Sequence, residues 1–180
     1  MRHGNPGNIL STIYEGLRII KGDGSPEHMS SSRLNIAVFT VAWIASSFAF
    51  DVIAVHNGSD TPLRPAKAFG EVVTSAAVMM IWFREMKHRL PQIWLSIATV
   101  SAILWSFTGL VISVYPPVMP IVFMLCAWGF VRSYATIAKK AYSPEEPPVN
   151  IYILSGLLIL WATFGGVAWG ELIHGWMKGA

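Results

Sequence analysis

Five long apolar stretches dominate the pattern of hydrophobic and polar positions along the chain. They lie near residues 34–55, 66–83, 92–114, 118–137 and 151–173. Each is close to the roughly 20 residues that an α-helix needs to cross the hydrocarbon core of a membrane. A helix also satisfies its own backbone hydrogen bonds there. The sequence therefore predicts an all-α, polytopic integral membrane protein with five transmembrane helices.

A shorter pattern precedes the first span. Apolar and polar residues alternate along 8–21 with the 3.6-residue period of an amphipathic helix. The helix is too short to span, so we expect it at the membrane surface with its apolar face in the headgroup boundary. A helix docked on a partner or on the protein's own cytoplasmic loops has the same period. The apolar face comprises Ile9, Leu10, Ile13, Tyr14, Leu17 and Ile20, and the polar face comprises Asn8, Ser11, Thr12, Glu15, Arg18 and Lys21.

Residues 22–32 are rich in Gly, Ser and Pro, which predicts a linker between this helix and the first span. We therefore divide the chain into a cytoplasmic N-terminal segment, 1–33, and a transmembrane domain, 34–176. In the fifth span Ala162, Gly166 and Gly170 recur at every fourth position, so they form one groove of small side chains on a helix. Such grooves let another helix approach closely, and we predict that this one packs against protein.

Composition supports the membrane interpretation, because 53% of the residues are hydrophobic and only 13% are charged. The net charge of +3 does not indicate nucleic-acid binding, since the basic residues are scattered among the loops. Of the 13 Lys and Arg residues, only Arg64, Lys67 and Lys178 fall in segments outside the membrane if the N-terminus is cytoplasmic. The other ten lie inside, which predicts a cytoplasmic N-terminus and an external C-terminus in a plasma membrane, the bacterial inner membrane.

Acids and histidines gather at the outer ends of the first, second and fifth spans, at Asp51, His56, Glu71, Glu171 and His174. Glu171 and His174 share a helix face, as metal ligands in helical bundles do, although di-iron bundles carry this motif twice. The hypothesis is a metal ion at the outer face held by Glu171, His174 and Glu71. The alternative is that these groups are solvated at span ends.

Glu71, Asp51 and Arg132 are the candidates for functional ionisable groups. Glu71 lies about one turn inside its span, where a carboxylate needs a partner. A hydrogen bond to Ser or Thr on a neighbouring span would make it structural, and a place along a transport path would make it functional. Arg132 lies near the end of the fourth span and can extend to the interface.

The sequence carries no nucleophile elbow, phosphate loop, zinc-protease motif or pair of mid-span histidines, so it favours a role other than catalysis. The first hypothesis is a structural or accessory subunit of a membrane assembly. The second is a homo-oligomeric pore or holin-like channel. The third is a metal-dependent enzyme or electron carrier that uses the outer acid and histidine cluster. The expected partners are the lipid bilayer and other membrane subunits or copies of the chain.

Overall fold

The computed structural model describes residues 8–57 and 65–142, together with Leu160, Ala168, Glu171, Leu172 and Gly175. Within 8–57 and 65–142 the regular elements are all helices, with no strand. The short 3₁₀ helices are Pro26–His28, Arg84–Arg89 and Pro116–Val118. The α-helices are α1 (Ile9–Lys21), α2 (Arg33–His56), α3 (Pro65–Trp82), α4 (Leu90–Val114) and α5 (Met119–Ala141).

Three segments of the described chain are long and apolar enough to cross a membrane: Arg33–His56, Lys87–Val114 and Pro116–Ala141. They coincide with the predicted first, third and fourth spans. Their length and apolar composition indicate a membrane protein. The predicted second span is also helical, as α3, but its apolar part, Ala68–Ile81, is shorter. The predicted fifth span, 151–173, lies outside the ranges that the structure describes continuously.

Helix α4 is the centre of the bundle and packs against α1, α2, α3 and α5. Aromatic contacts fix the directions of its neighbours. Trp43 and Phe50 of α2 contact Trp94 and Trp105 of α4 at ring-centroid distances of 5.8 and 4.8 Å, so α2 and α4 run parallel. Phe130 of α5 lies 5.7 Å from Trp105, and Tyr134 lies opposite Ser101, so α5 runs antiparallel to α4.

One end of the bundle carries several exposed basic side chains. At the end where α2 and α4 begin and α5 ends, Lys87, His88, Lys139 and Lys140 are exposed. We call this the basic end. The opposite end carries Asn57 and Tyr115, which follow the last residues of α2 and α4.

Residues 9–21 form a helix as predicted, but part of the side expected to face water is covered by protein. Thr12 and Glu15, assigned to the polar face, are buried together with Gly16 and Ile19, and α1 packs on α4 and α5. Leu10 and Tyr14 of the apolar face are exposed. The periodicity located the helix correctly, but it could not reveal that neighbouring helices cover the side expected to face water.

Local chemistry defines the ends of α1. The Asn8 side chain accepts a hydrogen bond of 3.2 Å from the Leu10 N–H and caps the first turn. Gly22 ends the helix in the left-handed conformation, at φ 99°, which glycine adopts without steric cost. The predicted linker that follows is partly packed, since Pro26 and Met29 are buried.

Candidate functional site

A buried carboxylate joins α3 to α2 in the interior of the bundle. The Ser47 hydroxyl of α2 donates a hydrogen bond of 2.9 Å to Oε2 of Glu71 on α3, and the two residues are 2% and 6% exposed. Ser47 lies nine residues before His56, the last residue of α2. At 1.5 Å per helical residue, this hydrogen bond is about 13 Å from that end of α2. Glu71 itself lies six residues after Pro65, the first residue of α3.

Two further polar side chains lie one helical turn from this bond. Asp51 follows Ser47 by four residues on α2, and Ser75 follows Glu71 by four residues on α3. Residues at this spacing share a helix face, and both Asp51 and Ser75 are buried. Ser47, Asp51, Glu71 and Ser75 form what we call the α2–α3 polar cluster. Within the described residues the Ser75 hydroxyl has no hydrogen-bond partner, although buried hydroxyls usually have one.

A pair of hydroxyls joins α4 to α5 nearby. The hydroxyl oxygens of Ser101 and Tyr134 are 3.2 Å apart and share a hydrogen bond, and both residues are buried. Glu71 lies within electrostatic range of Tyr134. Polar groups from α2, α3, α4 and α5 are thus concentrated in one part of the interior.

This arrangement has two chemical capacities. A hydrogen bond between side chains on neighbouring helices stabilises their packing, by about 0.6 kcal/mol on average within a membrane. A carboxyl group in the interior can also bind and release a proton or a cation when a path to water opens, which is why such groups are common in transport proteins.

Arg132, the third ionisable candidate, holds α1 in place. Its Nη2 donates a hydrogen bond of 2.6 Å to the carbonyl oxygen of Lys21, the last residue of α1. The residue is exposed, as expected for an arginine near the end of a span. The contact satisfies one of the carbonyl groups that a helix leaves free at its C-terminus, so Arg132 links α5 to α1.

The predicted metal site remains a prediction. Within the described part of the chain, no group of three or more His, Cys, Asp or Glu side chains could hold a metal ion. His56 and Glu171 are exposed, whereas Asp51 is buried within α2. His174 lies outside the described residues, as do the predicted packing residues Ala162, Gly166 and Gly170.

A third buried acid organises the N-terminal segment. Glu15 is only 5% exposed. Its Oε2 accepts a hydrogen bond of 3.0 Å from Nη1 of Arg18. Its Oε1 accepts a 2.8 Å hydrogen bond from the Ser25 N–H and lies 3.3 Å from Nδ1 of His28. The carboxylate therefore fastens residues 25–28 to α1.

Sequence reasoning missed Ser47, Ser75, Ser101, Tyr134 and the role of Glu15. The i, i+4 spacing of Ser47 with Asp51 and of Glu71 with Ser75 was a usable signal, because polar residues one turn apart within a span seldom face lipid. Ser101 and Tyr134 are 33 positions apart, so nothing in local spacing connects them.

Comparisons with protein-family models, with curated proteins and with solved structures found no match for this chain. Its function has to be inferred from its own residues.

Proposed function

We propose that the chain is a structural or accessory subunit of a membrane assembly. The observation that carries this proposal is the hydrogen bond between Ser47 and Glu71, because it engages the buried acid of α3 in holding two helices together. The contact between Ser101 and Tyr134 has the same character. Interior polar groups that hold neighbouring helices together favour a structural role.

An apolar stripe on α5 offers a surface for a partner. Ile121, Met124, Leu125 and Trp128 follow the i, i+3, i+4, i+7 spacing of one helix face, and all four are exposed. Lipid can cover such a stripe, and so can the helix of another subunit. We propose that the helix of another subunit covers the stripe, because a large aromatic residue such as Trp128 is a favourable anchor at an interface.

The full chain, extracted from its native membrane in a mild detergent, tests this by native mass spectrometry. We expect the 19.8 kDa chain to appear in a larger complex with different subunits in a fixed ratio. A complex whose mass is a whole multiple of the chain would support the homo-oligomeric pore instead. A monomer at every detergent concentration would refute the subunit role.

The stripe on α5 can be tested with a matched pair of variants. Trp128→Ala should weaken the complex by roughly 2 kcal/mol if Trp128 is an anchor at the interface. Phe107→Ala removes a comparably exposed aromatic residue from α4 and should leave the complex intact. Equal loss in both variants would mean that the α5 stripe has no special role.

A transport function is the second candidate, and the unpartnered Ser75 hydroxyl favours it. A water molecule or a transported cation could bind there, one turn from Glu71, as buried polar groups commonly bind water. Copies of the chain would then conduct protons or cations past the α2–α3 polar cluster.

Glu71→Gln separates the two candidates, since glutamine keeps the shape and the hydrogen-bonding capacity of glutamate but cannot ionise. In proteoliposomes loaded with a pH-sensitive dye, this variant should abolish proton flux if the chain transports protons. Ser47→Ala, which keeps the acid but removes its hydrogen-bond donor, should then reduce flux less. If wild-type flux equals that of empty vesicles, the transport candidate for protons is excluded.

A further inference from the structure

A cavity of about 230 Å³ opens at the basic end of the bundle. It lies where α4 begins and α5 ends, beside the 3₁₀ helix Pro26–His28. The segment Lys87–Val114 begins there and Pro116–Ala141 ends there, so the cavity would lie at the depth of lipid headgroups in a membrane that these helices cross. Its volume equals that of about eight water molecules in the liquid, at ~30 Å³ each, which is room for a phosphate group with a short polyol.

The charged groups around the cavity favour an anion. Its lining includes Arg89, Lys140 and His88, with Glu27 as the one acid among the lining residues. Glu27 is already engaged, because its Oε1 lies 3.0 Å from Nη1 of Arg89. Arg89 and Lys140 together therefore leave a net positive charge for a ligand. Basic pockets between transmembrane helices at the cytoplasmic side are typical sites for anionic lipid headgroups.

Arg89 is oriented so that part of its guanidinium group remains available. The same atom, Nη1, also donates a hydrogen bond of 3.1 Å to the carbonyl oxygen of Ala141, at the end of α5. Both contacts of Arg89 with described residues thus involve Nη1, which leaves Nη2 and Nε for another acceptor. This planar pair of donors matches two oxygens of a phosphate group.

Gln92 adds a requirement for a donor on the ligand. Gln92 lines the same cavity, and its side-chain oxygen is buried and has no hydrogen-bond partner among the described residues. A buried acceptor without a partner costs about 1–3 kcal/mol, so a ligand that carries a hydroxyl or ammonium group would be favoured there. An ionised phosphate diester has no proton to donate, so a hydroxyl beside the phosphate would supply the donor.

From these observations we propose that the cavity binds a phosphate group with a neighbouring hydroxyl, supplied by the glycerol headgroup of an anionic phospholipid. Arg89 and Lys140 bind the phosphate, and the Gln92 oxygen accepts a hydrogen bond from a headgroup hydroxyl. A soluble glycerol phosphate presents the same chemistry from another source. The site adds a lipid ligand to the chain and does not depend on the identity of any protein partner.

Lipid retention by the full chain tests the site. The protein is purified in detergent with defined amounts of phosphatidylglycerol, phosphatidic acid or phosphatidylcholine, and bound lipid is counted by native mass spectrometry. We expect phosphatidylglycerol to be retained in preference to phosphatidylcholine. Lys140→Gln should weaken its binding about fivefold, the usual effect of one basic residue at a membrane surface. Lys139→Gln is the control. Lys139 is the residue just before Lys140; it is also exposed, but it is not part of the cavity lining.

Gln92→Leu tests the role of the headgroup hydroxyl without endangering the fold, since it removes an acceptor that lacks a partner. It should weaken binding of phosphatidylglycerol more than binding of phosphatidic acid, whose headgroup has no glycerol. Arg89→Gln should also reduce retention, but it removes the contact with Ala141 as well and is interpreted only if the thermal midpoint is unchanged.

Three outcomes would overturn the proposal. Equal losses in Lys139→Gln and Lys140→Gln would indicate diffuse attraction to a basic surface. Equal retention of phosphatidylcholine and phosphatidylglycerol would exclude recognition of an anion. Glycerol phosphate that binds in detergent as tightly as the lipid does, in a manner dependent on Lys140, would assign the site to a soluble ligand.

Discussion

Gly16 is a point of close approach between α1 and α4. A Cβ atom at this position would lie 2.6 Å from Cγ2 of Thr99. Thr99 is completely buried, and its β-branched side chain has little freedom to move aside. We therefore expect Gly16→Ala to lower the free energy of unfolding by about 1–3 kcal/mol, as overpacking in a core commonly does. The thermal midpoint of the purified protein in detergent measures the change.

Gly109→Ala is the control for this prediction. A Cβ atom there would lie 3.4 Å from Cδ1 of Ile53, which is ordinary contact distance. Alanine also has the higher helix propensity, so this variant should be neutral or slightly stabilising. A Gly16→Ala variant as stable as Gly109→Ala would show that α1 does not pack this closely on α4.

At the scale of elements, Glu15 makes α1 and residues 25–28 a single unit. Glu15→Ala would leave the Ser25 N–H without its acceptor and Nη1 of Arg18 without its carboxylate partner. The loss of a buried hydrogen-bond partner costs about 1–3 kcal/mol, so hydrogen exchange across residues 9–29 should accelerate roughly tenfold or more. Exchange detected by mass spectrometry in detergent measures this directly.

Asp23→Ala provides the comparison within the same segment. Asp23 is an exposed acid whose carboxylate lies 3.8 Å from Nζ of Lys21, and exposed ion pairs contribute little. Its removal should leave exchange across residues 9–29 nearly unchanged. If Glu15→Ala behaves in the same way, the packing of Gly16 and Ile19 is enough to hold α1.

These elements also show what the sequence could and could not predict. Hydrophobic run length located α2, α4 and α5 to within a few residues, because lipid imposes both the length and the composition of a span. The periodicity of residues 8–21 located α1 but misjudged Glu15, whose partner Ser25 lies ten residues further along the chain. The sequence allowed a Ser or Thr partner for Glu71 but could not say which one, because the choice of Ser47 depends on how α3 is placed against α2.

For the whole molecule, the parallel arrangement of α2 and α4 constrains the path of the chain. The contacts between Trp43 and Trp94 and between Phe50 and Trp105 place the beginnings of both helices at the basic end. The chain must therefore return from the opposite end between Asn57 and Leu90. Helix α3 lies on this return path, although its apolar part is short. We expect α3 to cross the membrane with its polar face against α2, where Ser47 supports Glu71.

Cysteine labelling of intact cells tests both this crossing and the orientation. The native Cys126 is buried and is the only cysteine in the chain, so added cysteines report alone. With a membrane-impermeant maleimide, Asn57→Cys and Tyr115→Cys should react from outside. Lys87→Cys and Lys139→Cys should react only after the cells are opened, because positive charge is retained on the cytoplasmic side.

The pattern of labelling tests the crossing of α3 and the orientation of the chain separately. Reaction of positions 57 and 87 from the same side would mean that α3 returns without crossing. A fully reversed pattern would keep the crossing but contradict the orientation. The lipid site would then face the outer leaflet, away from the anionic surface that attracts basic residues at the cytoplasmic side. The expected alternation would support four crossings between residues 33 and 141 and would place the cavity beside Arg89 in the cytoplasmic leaflet.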